Sequence, residues 1–449
     1  MADIPFLNRA PGEILARRGA RPVTAGEYLA DVAALAARLP GAPYALNLCE
    51  DRYLALVAFG AALARGVVTL LSADRSPHRQ RELLARYPGT IALADGVETV
   101  IPAVTAGAWG RGSGANFDLP EERVAAIGFT SGSTGEPAPH AKPWGALVAA
   151  ARSAAARFGL DDPEDGATVI GTVPAQHMYG FETTVMLPLR APVAVHSGPH
   201  FYPVEVAEAL AAAPGRRVLV TTPLQLRALV AGGVSGASAI ISATAPLSPA
   251  LAAEAEAALG APVLGIYGAT EMGSIASRRT LGGEEWTLYD GVALRAEGGE
   301  EAAALVPGLP GPVPLSDLVE IGADGRFRLI GRRGDMVKRG GKRASLAGLN
   351  RVLAEIEGVQ DGVFLAPEDL EANPAARLAA YVVAPGRTPA EIVAALRERV
   401  EAVFLPRPVV LVERLPRNAV GKITRRSLEA LRDAQLQAQI CTQSGEEAR

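Results

Sequence analysis

The chain has 449 residues, 49% of them hydrophobic and 20% charged, which supplies enough apolar surface to offset chain entropy and excludes an intrinsically disordered protein. At about 100–200 residues per domain, this length implies two or three folding units and excludes a single small binding module. A formal net charge of −4 with no basic block argues against a phosphate-tracking nucleic-acid binder, so no nucleic-acid partner is expected.

Along the chain, Thr24 followed by Glu27 forms a capping-box pattern, and Leu29, Val32, Leu35, Ala36 and Leu39 behind it predict a helix. The apolar stretch Leu54 to Ala64 is far shorter than the roughly 20 residues of a membrane span, so no span is expected. Met1–Pro5 lacks the basic-then-apolar pattern of a signal peptide. Cys49 and Cys441 fit neither a metal-ligand spacing nor a disulfide framework, and a soluble, cytoplasmic protein is expected. Short apolar runs at 67–71, 169–173 and 218–221 alternate with Ala-rich helical stretches, which predicts an α/β fold with largely parallel strands. Between Gly282 and Gly325 the Gly/Pro content and short strand-like pieces predict a small β-rich subdomain. From Gly331 a basic, glycine-rich segment leads into a further set of helices and strands. The expected organisation is a large N-terminal domain at 1–333, a small mobile α+β domain at 334–434 and a polar tail at 435–449.

Three segments carry chemistry. After the apolar piece 124–127 comes Phe129-Thr130-Ser131-Gly132-Ser133-Thr134-Gly135-Glu136-Pro137, a loop of backbone N–H groups and hydroxyls without side-chain bulk, as a polyphosphate requires. It is not a Walker loop, because no Lys-Ser or Lys-Thr follows the glycine; a Ser/Gly-rich linker is the alternative reading. Gly265-Ile266-Tyr267-Gly268-Ala269-Thr270-Glu271 combines an aromatic ring, a glycine that permits close approach, a hydroxyl and a carboxylate able to hold Mg²⁺. Near the C-terminus, Leu415-Pro416-Arg417-Asn418-Ala419-Val420-Gly421-Lys422 presents a lone lysine after a turn-like stretch.

In this order and spacing the three segments resemble the adenylate-forming superfamily of acyl- and aryl-CoA synthetases and peptide-synthetase adenylation domains, over roughly Ala45 to Leu431. Pro174-Ala175-Gln176-His177-Met178-Tyr179-Gly180, Ala243-Thr244-Ala245-Pro246, Ser316-Asp317-Leu318 and Gly331-Arg332 look like further motifs of that family. The resemblance implies an ATP- and Mg²⁺-dependent ligase that joins a carboxylic acid to AMP and then to a phosphopantetheine thiol of CoA or an acyl carrier protein. It implies catalytic roles for Lys422, Thr270 and His177, and Mg²⁺ on Glu271. Nucleotide binding falls to Thr130, Ser131, Gly132, Ser133, Thr134, Gly135, Ala243, Thr244, Ala245, Tyr267, Gly268, Asp317 and Arg332. Gly334 becomes the hinge, and Gly341, Lys342 and Arg343 the acceptor side, with a solvated basic loop as the alternative for the last group.

Departures from the family pattern fall on the loop and the hinge. Ala138-Pro139-His140-Ala141 intervene before Lys142, so the phosphate-loop lysine is displaced: either Lys142 reaches back or backbone groups serve alone. Gly334 stands where Asp or Lys is commoner, and the adenine-side loop has Ala243 and Thr244 where glycines are usual. The chain's compact length resembles ligases that load aryl acids onto carrier proteins in aryl-polyene and xanthomonadin-type pathways. On that likeness His177, Tyr179, Phe181, Thr222 and Ser242 are expected to line the pocket for an aromatic acid, the two aromatics being alternatively core residues. A degenerate nucleotide or acyl-adenylate binding protein and a fatty acyl-CoA synthetase remain the competing readings. Only four of the 44 cationic residues are lysines, Lys142, Lys338, Lys342 and Lys422, and all four lie in or beside these motifs.

Overall fold

The computed structural model describes residues 3–433 except 97, 108, 131–137, 300, 340–341, 368–369, 371–372, 374–375, 418–422, 424–426 and 429, and describes no side chain at 333 and 343. Thr24 caps the helix Ala25–Ala36 as its sequence predicts: its hydroxyl accepts from the Glu27 N–H, while the Glu27 carboxylate accepts from the Thr24 N–H at 2.8 Å. The apolar stretch near residue 54 becomes the buried helix Arg52–Ala64. Among the described residues no helix is long and apolar enough to cross a membrane.

Two sheets dominate the N-terminal part. The first has six strands, parallel apart from the antiparallel hairpin of Val124–Thr130 with Ala138–Pro143 at one edge. The second has nine strands. Its six central strands are mutually parallel, among them Thr168–Gly171, Arg217–Thr221, Ala239–Ser242 and Val263–Ala269, and antiparallel strands close both edges. Central strands such as Thr168–Gly171 and Ala239–Ser242 are buried along their whole length, which is why they read as continuous apolar runs without alternation.

The Gly/Pro-rich region folds into a three-stranded antiparallel sheet and the hairpin Asp317–Ile321/Phe327–Arg332. Its apolar cluster joins Tyr267 and Ile275 of the large sheet to Trp286, Val319 and Phe327. Beyond it, the hairpin strand Met336–Arg339 leads to helix Leu346–Ala354, a three-stranded sheet (Asp361–Leu365, Ala379–Val383, Val409–Leu411) and helix Pro389–Arg397. This C-terminal part has its own core, which starts at Val337 and includes Leu353, Phe364, Val382 and Leu396.

Candidate active site

The parallel strands deliver their C-terminal ends to one face, where loops of an open α/β sheet bind ligands. Strand Val263–Ala269 brings Tyr267 there. Its hydroxyl donates to Asp317 Oδ2 at 2.8 Å, while Arg332 Nε stands 3.3 Å from Asp317 Oδ1. Asp317 and Arg332 are direct cross-strand partners, so the hairpin register fixes this pair. The Tyr267 ring is 8% exposed and packs on Trp286 and Phe327, at 5.7 and 5.5 Å between centroids. Burial, reinforced by the Asp317 charge, raises the phenol above its ordinary pKa, so it remains a donor. Tyr267, expected as an adenine cover, is mostly buried, with its hydroxyl engaged by Asp317. Half-buried Asp335 lies across Arg332, its carboxyl raised by desolvation.

Thr270 and Glu271 occupy the turn between Val263–Ala269 and Gly273–Arg279. A Cβ on Gly268 would meet the Gly273 carbonyl oxygen at 2.3 Å, so only glycine lets the two strands close here. A Cβ on Gly128 would lie 2.7 Å from the Thr270 methyl, so that glycine lets the turn press onto the strand that ends in Thr130. Lys142 completes this junction. Its buried Nζ donates to the Glu271 carbonyl at 2.9 Å, and burial pulls its pKa down to about 8 against the opposing charges of Glu182 and Glu271. Lys142 is therefore a tie between the hairpin and the turn. The Thr130 hydroxyl lies 3.0 Å from His140 Nε2, a contact the sequence reading missed because strand pairing brings the two side chains together. The loop residues Ser131, Gly132, Ser133, Thr134 and Gly135 lie outside the described residues, as do Gly341 and Lys422 and the side chain of Arg343.

His177 begins a short helix and accepts the Tyr179 N–H through Nδ1 at 3.3 Å. A Cβ on Gly180 would lie 2.0 Å from the Pro174 carbonyl oxygen, which accounts for the glycine that ends this motif. Next comes a π-helical turn, Glu182–Met186, a distortion that often marks a functional site. The residues expected to line an acid pocket behave differently. Phe181 is core, edge-on to Phe59 at 5.0 Å. Tyr179 is also buried, its hydroxyl 3.1 and 2.8 Å from the carbonyls of Thr221 and Ile241, so it locks two strand ends together. Thr222 caps helix Pro223–Ala231. Ser242 has a buried hydroxyl with no partner among the described residues. A narrow crevice lies between helix Trp144–Phe158 and the large sheet, lined by Ala151, Phe158, Glu182, Ile266, Ser274 and Tyr289 among others.

At the adenine-side loop, Ala243 is buried and Thr244 takes φ +81°, a left-handed conformation costly for a β-branched residue. Thr244→Gly is expected to stabilise the fold by about 1 kcal/mol after the entropic cost of glycine, read as a higher urea midpoint. Ala245 follows, half-buried. Gly334 is exposed in the turn Arg333–Asp335, and a Cβ there would meet nothing within 4 Å. Lys342 is exposed and paired with Glu401.

Comparison with known proteins adds the following. A family model described as AMP-binding enzyme matches residues 17–297, and one described as AMP-binding enzyme C-terminal domain matches residues 351–422. A 4-coumarate–CoA ligase of Rhodobacter capsulatus is 33% identical over 290 residues, 64% of this chain and 71% of its own length. ATP-bound MatB from Rhodopseudomonas palustris shares the fold with a TM-score of 0.78 at 21% identity, over 93% of this chain and 95% of that one. An o-succinylbenzoate CoA synthetase of Bacillus subtilis, in complex with an acyl-adenylate, gives 0.79 at 19% identity, over 95% and 98%.

Proposed function

The chain belongs to the AMP-binding enzymes and is an AMP-forming ligase, and on that premise we propose that it activates an aromatic carboxylic acid and passes the acyl group to a phosphopantetheine thiol. The observation that carries the nucleotide half of this reading is the Asp317 carboxylate. Each of its oxygens takes one protein donor, Tyr267 or Arg332, and keeps lone pairs for the two ribose hydroxyls.

The residues on this face suit the two steps. In the first, a carboxylate oxygen of the acid bonds to the α-phosphorus of ATP and the bond to pyrophosphate breaks, giving the acyl-adenylate. Charge grows on the nonbridging oxygens, and Thr270, Thr130, the hydroxyls of Ser131, Ser133 and Thr134 and the Lys422 ammonium would neutralise and position it. Glu271 has the hard oxygen donors that Mg²⁺ prefers, and such ions are commonly held by one or two protein carboxylates together with substrate phosphates. A bound Mg²⁺ would offset polyphosphate charge. In the second step the thiol sulfur bonds to the acyl carbon and AMP leaves. We assign Gly334 as the pivot between residues 1–333 and 334–434 for this exchange, and Gly341, Lys342 and Arg343 to the acceptor side. Lys342 must then give up Glu401 to meet a pantetheine phosphate.

CoA and carrier proteins present the same thiol arm. The 4-coumarate–CoA ligase relative supports an aromatic acid and a CoA-type acceptor. ATP–pyrophosphate exchange across benzoates, cinnamates and fatty acids tests the first step, and product mass on CoA against a phosphopantetheinylated carrier separates the acceptors. No exchange with any acid would favour the degenerate-binder reading. Asp317→Ala is expected to raise the KM for ATP about 10–100-fold, since charge-assisted hydrogen bonds contribute about 1.5–3 kcal/mol each. An unchanged KM would remove Asp317 from the nucleotide site.

A further inference from the structure

Thr270, Glu271 and Met272 form the hairpin loop between the cross-strand partners Ala269 and Gly273. The peptide group that joins Glu271 to Met272 is pinned at both polar atoms. Its carbonyl accepts from Lys142 Nζ at 2.9 Å, and its N–H donates to the Ala269 carbonyl at 3.2 Å. Glu182 holds the far side of the same loop: one carboxylate oxygen accepts the Ser274 N–H at 3.1 Å and the other the Ser274 hydroxyl at 2.5 Å. A Cβ on Gly273 would lie 2.6 Å from Glu182 Oε1, so the carboxylate comes this close only because residue 273 is glycine. The grip falls on backbone groups and on Ser274. The Glu271 carboxylate itself makes no hydrogen bond among the described residues.

Lys142 is 2% exposed and Glu182 is half-buried. Burial pulls the ammonium down to about 8 and pushes the carboxyl up, and each charge opposes the other's shift. A buried charge is costly unless it is offset and hydrogen-bonded. Here the two charges offset each other, while each spends its hydrogen bonds on the loop. Bonds to a charged group are also about twice as strong as neutral ones, so both ends of the loop are held firmly. Lys142 in addition lies on strand Ala138–Pro143, paired with the strand that ends in Thr130. The same ammonium therefore ties the Glu271 loop to the hairpin that residues 131–137 connect. We propose that Lys142 and Glu182 are a pair of positioning residues, which together fix the backbone from which Glu271 meets Mg²⁺ and Thr270 meets the α-phosphate. This rests on the ligase reading above. Neither side chain touches the reacting atoms; they act through the loop they hold.

Lys142→Met removes the donor and the charge at nearly constant length, and Glu182→Gln removes the charge while keeping an acceptor for Ser274. ATP affinity of the full chain is read by titration calorimetry, once with excess Mg²⁺ and once with EDTA. Lys142→Met is expected to bind ATP about 10–100-fold more weakly in Mg²⁺, the usual loss when a group that orients a metal-holding side chain is removed, and to stay within about threefold of wild type in EDTA. Each single variant leaves one buried charge without its counterpart and is expected to lower the urea midpoint. The double variant Lys142→Met/Glu182→Gln removes both charges and is expected to regain most of that loss. It should keep the Mg²⁺ defect, because the Glu271 carbonyl still lacks its donor. Recovery of Mg²⁺-dependent affinity together with stability in the double variant, or equal losses in Mg²⁺ and EDTA, would reduce the pair to a structural tie and overturn the proposal. Either result leaves the ligase reading intact, since that stands on acid-dependent pyrophosphate exchange by the wild type. Exchange with no acid at all would overturn both.

Discussion

Lys422→Ala is expected to lower acid-dependent pyrophosphate exchange by about 10²–10³-fold, the loss typical of removing one preorganised group from a developing oxyanion. The described residues that flank Lys422 in the sequence are tied down. Arg417 pairs with Ile423, and the Arg417 guanidinium bonds both oxygens of Asp361, at 2.8 and 2.6 Å. Such a fork-to-fork pair fixes direction as well as distance, so Arg417 is anchored on strand Asp361–Leu365 of the C-terminal sheet. Two further results follow. Supplying the acyl-adenylate directly should restore thioester formation in Lys422→Ala to near the wild-type rate. Lys422→Arg should rescue poorly, because a planar fork cannot replace a compact ammonium that must meet a carboxylate and a phosphate oxygen together. Full activity in Lys422→Ala would refute the role, and equal loss of both half-reactions would point to a structural defect.

Acidification is expected to weaken the fold steeply between pH 6.5 and about 3, through two buried histidines. His200 and His196 are buried with Nε2 and Nδ1 2.9 Å apart, and the guanidinium of Arg52 lies against His200 while donating to the Val173 carbonyl at 2.8 Å. Burial, then the charges of Arg52 and His196, pulls His200 down to about 3, and burial also lowers His196. In the unfolded chain each titrates near 6.5, so across this window the unfolded state binds more protons than the folded one. Stability is therefore complete above pH 6.5 and falls as the pH drops towards 3. For His200 the loss is on the order of 4 kcal/mol, a large part of a typical 5–15 kcal/mol. Lys142 acts in the same direction at higher pH. Its folded value of about 8 lies below the ordinary lysine value, so stability rises from pH 8 towards pH 10.5. Urea midpoints measured against pH should show both slopes. His200→Asn, which cannot titrate, should flatten the acid limb; an unchanged limb would exclude His200 as its source.

Much of the site was legible because its chemistry is local in sequence. The turn that holds Thr270 and Glu271, the Tyr267 position and the capping box at Thr24 each depend on residues a few places apart, where spacing and glycine placement carry the information. Asp317 and Arg332 were also readable singly, but their pairing came from the register of a hairpin fifteen residues deep. Whether Tyr179 and Phe181 are ring-binding or core aromatics could not be read from their spacing: packing buries both, Phe181 against Phe59 and Tyr179 with its hydroxyl on the Ile241 carbonyl.

The four lysines show the division clearly. The sequence alone singled them out, since a chain that otherwise uses arginine retains lysine only beside the phosphate loop, the hinge segment and the Gly-Lys tail. It also determined the α/β class and the order of the motifs, because apolar period, turn residues and short spacings are local properties of the chain. What Lys142 does was decided by tertiary structure. Its ammonium ends on a carbonyl 129 residues away, in a buried site whose desolvation and opposing carboxylates arise only once the hairpin and the turn are packed together.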